Sequence, residues 1–259
     1  MSSERRVLIT GATGKQGGAL AQAIEGKGFS VYAMTRRPES EAARALAGMW
    51  GVFAMQNTWE AGVEKEEEQG KRLATLARDA GVHHYVYTSV GSAHRETGIL
   101  HFENKSRIEA TVRSLRFPSH VILRPVFFME NLLSPWVLNG DKLLAALAPD
   151  VSLQMIAVDD IGRFAAEVFV RADRFRGREI DLAGDAVTMP EAAAALSLGL
   201  GRPITFVRIP IEEIRKNSED YATMLEWFER VGYDADISGL EREFGFRPTR
   251  LAEWAATRR

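Results

Sequence analysis

The sequence predicts an α/β fold, a doubly wound, mostly parallel sheet with helices on both faces, on three observations. Short apolar runs alternate with stretches of helical period through the first half of the chain, the pattern of strand–helix–strand units. A glycine triplet, Gly11-Ala12-Thr13-Gly14-Lys15-Gln16-Gly17, falls where the first strand would pass into the first helix. A second strand pattern follows that helix, and this context turns a glycine-rich turn into a Rossmann-type fingerprint.

The elements follow in order. Val7-Leu8-Ile9-Thr10 is a strand, and Leu20, Ala23 and Ile24 share one face of the helix that ends at Gly26 to Gly28. Ser30 to Met34 is a strand, Glu39 to Ala47 a short helix, Val52 to Met55 a strand and Glu64 to Ala80 a long helix closed by Gly81. His84 to Thr88 is a strand, Asn104 to Leu115 a helix and Val121 to Leu123 a strand. Beyond it the pattern is less regular. Leu153 to Ala157, Glu179 to Ala183 and Thr205 to Ile209 read as strands, and Ile161 to Arg171, Ile211 to Tyr233 and Leu251 to Trp254 as helices. The expected division is a nucleotide-binding domain over 1–135 and a small α+β subdomain over 136–259, with some elements interleaving.

Composition narrows the class. The 259 residues are 46% hydrophobic and 26% charged, with a net charge of −2, which fits an ordinary globular protein and announces no nucleic-acid surface. No apolar run approaches the roughly 18 residues of a membrane span, and the polar start Met1 to Arg6 is no secretory signal, so a cytoplasmic location is expected. The absence of cysteine removes disulfides, thiolate metal sites and cysteine nucleophiles. Asp159-Asp160 reads as a helix cap or interdomain contact rather than a metal site, and no metal is expected. His83 and His84 read as solvent-facing or capping residues, and Glu64 to Glu68 as a solvated helix face.

In the glycine loop, Gly11 permits the tight turn, Gly14 lets backbone N–H groups approach a pyrophosphate, and Gly17 allows close contact of helix and sheet. Thr13 and Gln16 are also expected to contact the cofactor, and Lys15, inside the loop, to add a second positive contact. After the second strand an NAD-binding protein would place Asp or Glu to receive the adenosine ribose hydroxyls. This chain has Thr35-Arg36-Arg37. Guanidinium groups pair with a 2′-phosphate that a carboxylate would repel, so NADP(H) is expected over NAD(H). Arg37 is alternatively a solvated turn residue before Pro38. Gln56 and Asn57, then Thr88 and Ser89, end strands at the carboxyl edge where open α/β sheets bind ligands. Trp59 reads either as a wall of the cleft or as core.

The glycine loop, Thr35-Arg36-Arg37-Pro38, Gln56-Asn57-Thr58-Trp59-Glu60, His101-Phe102-Glu103-Asn104-Lys105, Arg124-Pro125-Val126-Phe127-Phe128-Met129-Glu130-Asn131 and Val158-Asp159-Asp160-Ile161-Gly162 together resemble the NmrA-like family of atypical short-chain dehydrogenases. The resemblance implies an NADP(H)-binding Rossmann fold whose members are either NAD(P)H-dependent reductases or redox sensors that bind a partner protein. It also puts Pro125 beside the cofactor, and Phe127, Phe128 and Asn131 on the nicotinamide and substrate walls. Ordinary short-chain dehydrogenases use a tyrosine four positions before a lysine. None of the five tyrosines here has that spacing, and His101 precedes Lys105 instead. Lys105 is expected to contact the nicotinamide ribose. His101 is either a proton donor or a helix-start residue without catalytic duty.

The chain departs from that pattern between Arg37 and Trp50, where only one helix fits. A strand at the outer edge beside the second strand, and one helix, are expected to be missing, which thins the adenine pocket. The expected function is reduction of a small carbonyl or quinone-like substrate, with Ser89, Phe127 and Asn131 contacting it. The alternative is a sensor of NADPH and NADP that regulates a partner protein.

Overall fold

The computed structural model describes residues 5–34, 42–57 and 62–258. Two compact units divide the chain: the described residues of Met1–His94, Leu100–Arg124 and Ile161–Ile180, and those of Arg95–Ile99, Pro125–Asp160 and Asp181–Arg259.

The first unit carries β1 (Arg5–Thr10), β2 (Phe29–Met34), β3 (Gly51–Ala54) and β4 (His84–Thr88), with most of β5 (Ser119–Pro125). These are mutually parallel, in the order β5-β4-β3-β1-β2, and β10 (Glu179–Leu182) lies beyond β5. This is the predicted doubly wound sheet. Among the described residues α2 (Ala42–Leu46) lies between β2 and β3, and β2 ends the strand order.

Alternation along the strands sends side chains to two helical layers. Leu8, Val52, Tyr85 and Ile122 enter one core with Leu46 of α2, Leu73, Ala74 and Ala77 of α3 (Val63–Asp79), and Ile108 and Val112 of α4 (Leu100–Ser114). Gly51 and His84, on the other face, meet Phe169 of α5 (Val158–Val170). A Cβ at Gly162 of α5 would stand 2.4 Å from the Ala19 carbonyl carbon of α1 (Lys15–Ile24), so these helices cross with no room for a side chain. After α5, the short α6 (Ala172–Phe175) sets Phe175 against Phe164.

The second unit has two small sheets. One orders β11 (Asp185–Thr188), β9 (Ser152–Ile156) and β6 (Phe127–Phe128); the other orders β12 (Thr205–Arg208), β8 (Lys142–Ala145) and β7 (Leu138–Asn139). Its helices are α7 (Met189–Leu200), α8 (Ile211–Arg215), α9 (Glu219–Arg230), α10 (Ile237–Phe244) and α11 (Leu251–Ala256). Gly199 of α7 packs directly on Ala255 of α11. Asp160 is fully buried and accepts hydrogen bonds from the backbone N–H and the hydroxyl of Thr249.

Three expectations are corrected. The helix read over Ile211 to Tyr233 is two helices, because the Ser218 hydroxyl caps α9 by accepting from Tyr221 N at 3.1 Å. His84 does not face solvent: it is fully buried in β4, between Trp50 and Phe169, with Nδ1 2.8 Å from Ser119 Oγ. Burial, reinforced by the charges of His83 and Arg5, lowers its pKa to about 3. The third is Glu66, which is buried within the acidic run read as solvated.

Candidate functional site

β1 ends in buried Val7 to Thr10, and Gly11 turns the chain at φ +63°. Gly14 N donates to Gly11 O at 2.8 Å, and extended Gly14 then starts α1. No side chain caps this helix and its first turn has no carboxylate, so its N–H groups and the positive end of its dipole remain available to an anion. Thr13, Gly14 and Lys15 are exposed there. At Gly17 a Cβ would lie 2.3 Å from Gly11 O and 2.7 Å from Thr10 O, so only glycine lets α1 close on the turn.

Two neighbouring strand ends are tied to this loop. Thr10 Oγ1 accepts from Met55 N at 2.7 Å, and the Met55 methyl lies 2.4 Å from where a Gly11 Cβ would stand. This places the end of β3, and Gln56 after it, beside the glycine turn. Gln56 Oε1 is buried and without a hydrogen-bond partner. Thr88 Oγ1, at the end of β4, donates to Gln16 Oε1 at 2.6 Å. Ser89 follows, its N–H bonded to Leu123 O at 2.7 Å and its buried Oγ without a partner. Unmatched buried polar atoms are unfavourable unless a ligand meets them. Uncapped helix, glycine cradle and these two oxygens fit a dinucleotide by their donor and acceptor chemistry.

α4 presents His101 and Lys105 one turn apart, as expected. Lys105 Nζ stands 2.8 Å from Glu66 Oε1, with the carboxylate fully buried and the lysine side chain 11% exposed. Sequence reading missed Glu66 because it lies in a run of charges that resembles any solvated helix surface. His101 is buried, its ring edge-on to Phe102 with centroids 4.8 Å apart. Tyr87 does not replace the missing tyrosine: it is enclosed in the core, and burial pushes its hydroxyl far up, with Glu66 and Glu109 adding to the shift. A further residue without a sequence signal is Ser92, buried at φ +62°, a conformation that favours glycine.

The glycine loop, Gln16, Gln56, Asn57, Thr88, Ser89, His101 and Lys105 all belong to the first unit. Pro125, Phe127 in β6 and Asn131 in the 3₁₀ turn Met129–Leu133 belong to the second. Arg36, Arg37 and Trp59 lie outside the described residues. Among the described residues no cluster of acidic and histidine side chains forms a metal site, and no helix is long and apolar enough to cross a membrane.

Sheet order and glycine turn define a Rossmann-like α/β protein. The chain belongs to the NmrA-like family, whose model matches residues 3–48 and 42–257. The two matches overlap over residues 42–48, which lie between β2 and β3. An NmrA-like family domain-containing protein of Dictyostelium discoideum is 24% identical over 96% of this chain and 95% of its own length. The fold is shared with the NADPH-dependent quinone oxidoreductase QOR2 of Escherichia coli complexed with NADPH (TM-score 0.78, 20% identity, 97% and 99% of the two chains). It is also shared with NmrA, a negative transcriptional regulator in complex with NAD (TM-score 0.78, 18% identity, 98% and 95% of the two chains).

Proposed function

We propose that this protein binds NADP(H) and reduces a small carbonyl or quinone-like substrate. The uncapped N-terminus of α1, closed on its glycine turn, carries the reading, since it offers backbone donors to a pyrophosphate. Gln16, held by Thr88, sits at that turn, and Gln56 and Ser89 supply oxygens with unmet hydrogen-bonding capacity. Lys105 would meet the nicotinamide ribose through ammonium donors that Glu66 leaves unused. The bound cofactor supplies the hydride. Pro125, Phe127 and Asn131 remain assigned to cofactor and substrate contacts, and Arg36 and Arg37 to the 2′-phosphate, which supports NADP(H) over NAD(H).

One observation favours a second reading. No tyrosine precedes Lys105 by four positions, and the residue there, His101, is buried against Phe102. A protein that binds the nucleotide without turning it over would serve as a sensor through a partner protein, provided that NADPH and NADP stabilise different states.

Calorimetric titration with NADPH and NADH, on the native protein and on Arg36→Ala, tests the cofactor. NADPH is expected to bind more tightly, and the alanine change to erase most of that difference. NADPH consumption with a panel of quinones and carbonyls separates the two readings: turnover supports the reductase, and saturable binding without turnover supports the sensor. Failure to bind either dinucleotide would overturn both.

A further inference from the structure

The Glu66–Lys105 pair is not required to join its two helices. Gly70 of α3 already brings α4 so close that a Cβ there would stand 2.5 Å from the Ile108 Cδ1. Asn104 Nδ2 donates to Val63 O, and Arg107 Nε donates to Glu67 Oε2 at 2.7 Å. Against that secure contact, a fully buried carboxylate is a poor investment in stability, because desolvation offsets most of the attraction to its partner. Its geometric effect is specific: an ammonium on a flexible stem is held 2.8 Å from a fixed, buried carboxylate oxygen by charge attraction, which leaves its donors for a ligand.

We propose that Glu66 is a positioning residue for the nicotinamide end of the cofactor site. It orients the Lys105 ammonium before the cofactor arrives, so that the ribose hydroxyls meet donors already in place. The inference rests on the assignment of Lys105 to that ribose. Preorganisation lowers the entropy lost on binding, so its removal weakens cofactor affinity even where the fold persists.

NADPH dissociation constants for Glu66→Gln, Lys105→Met and the double variant test it. Glu66→Gln keeps the side-chain shape and is expected to weaken NADPH binding about fivefold, and Lys105→Met about tenfold, the size of one or two lost polar contacts. The double variant is expected to bind no more weakly than Lys105→Met alone, since Glu66 acts through Lys105. Should Glu66→Gln not fold, Glu66→Asp, which keeps the charge but retracts it, takes its place and is expected to lose affinity in the same direction. Unchanged affinity in the Glu66 variant, or losses that simply add, overturns the positioning role while leaving Lys105 on the cofactor. Unchanged affinity in Lys105→Met overturns the assignment of Lys105 itself, and this inference with it.

Discussion

Thr88 Oγ1 and Gln16 Oε1 are 2.6 Å apart, a side-chain hydrogen bond between the end of β4 and the first turn of α1. It fixes the amide of Gln16 at the mouth of the glycine turn. Thr88→Val keeps the shape and removes the donor. The change is expected to cost about 1 kcal/mol of stability and to weaken NADPH binding several-fold, as read by denaturant unfolding and calorimetry. A variant with native NADPH affinity would show that Gln16 needs no such support.

Two adjacent glycines of α1 should respond differently to alanine. At Gly17 the new Cβ meets backbone at 2.3 Å, whereas at Gly18 the nearest atom is Ala12 O at 3.3 Å. Gly17→Ala is expected to cost about 2–3 kcal/mol and to abolish dinucleotide binding, and Gly18→Ala to cost well under half as much. Thermal melts and NADPH titration of the pair make the comparison, and equal effects would contradict the close approach.

Buried His84 makes the fold acid-sensitive above the range in which carboxylates titrate. Its folded pKa of about 3 lies below that of an unfolded histidine. Its contribution is therefore complete above about pH 6.5 and is lost progressively as pH falls toward 3. Between pH 7 and pH 5 the loss is about 2 kcal/mol. His120, half-buried, is shifted the same way by desolvation, so the diagnostic is the difference between the native protein and His84→Gln. The native unfolding free energy should fall more steeply over that interval.

Arg124 is 5% exposed and grips fully buried Glu109 through two hydrogen bonds of 2.9 and 2.7 Å. Arg124→Met leaves that carboxylate with one guanidinium partner, Arg113, whose Nη2 donates to Glu109 Oε2 at 2.8 Å, and is expected to cost about 2–3 kcal/mol. Replacing both partners, with Glu109→Gln added, should recover part of the loss, because a neutral amide is easier to bury than a carboxylate that has lost one of its two guanidinium partners. Urea unfolding of the native, single and double proteins checks this.

The short passage from β2 to β3 should show itself at the adenine end of the ligand. Insertion of a strand and helix after β2, as the family pattern leads one to expect, should tighten NADPH binding. An affinity no better than that of the native chain would argue against a thinned pocket.

The sheet was legible because its signals are local. β1, β3 and β4 are compact apolar runs, and the glycine triplet lies at a strand-to-helix junction followed by a second strand. Thr88 and Ser89 were readable as a strand end, but the bond from Thr88 to Gln16 joins residues 72 positions apart, and no periodicity reports such a pairing. Glu66 and His84 were misread for a common reason. Their residue types are usually solvated, and what buries them is a partner distant in sequence, Lys105 in one case and the Phe169–Trp50 sandwich in the other. α7 escaped notice because its Ala-rich run has little polar contrast, although Thr188 and Glu191 form a capping box at its start and Pro190 stands beside it.

Phe169 also sets an order of events during synthesis. The α5 segment that covers Gly51 and His84 is synthesised only after more than 30 residues of the second unit, Pro125–Asp160, have been added to the chain. The nascent N-terminal sheet therefore waits with the part of one face that α1 does not cover exposed until α5 arrives, a long-range closure of the kind that slows folding and invites chaperone capture. Chains released before α5 should be recovered in aggregates or on chaperones, although every strand from β1 to β5 has by then been translated.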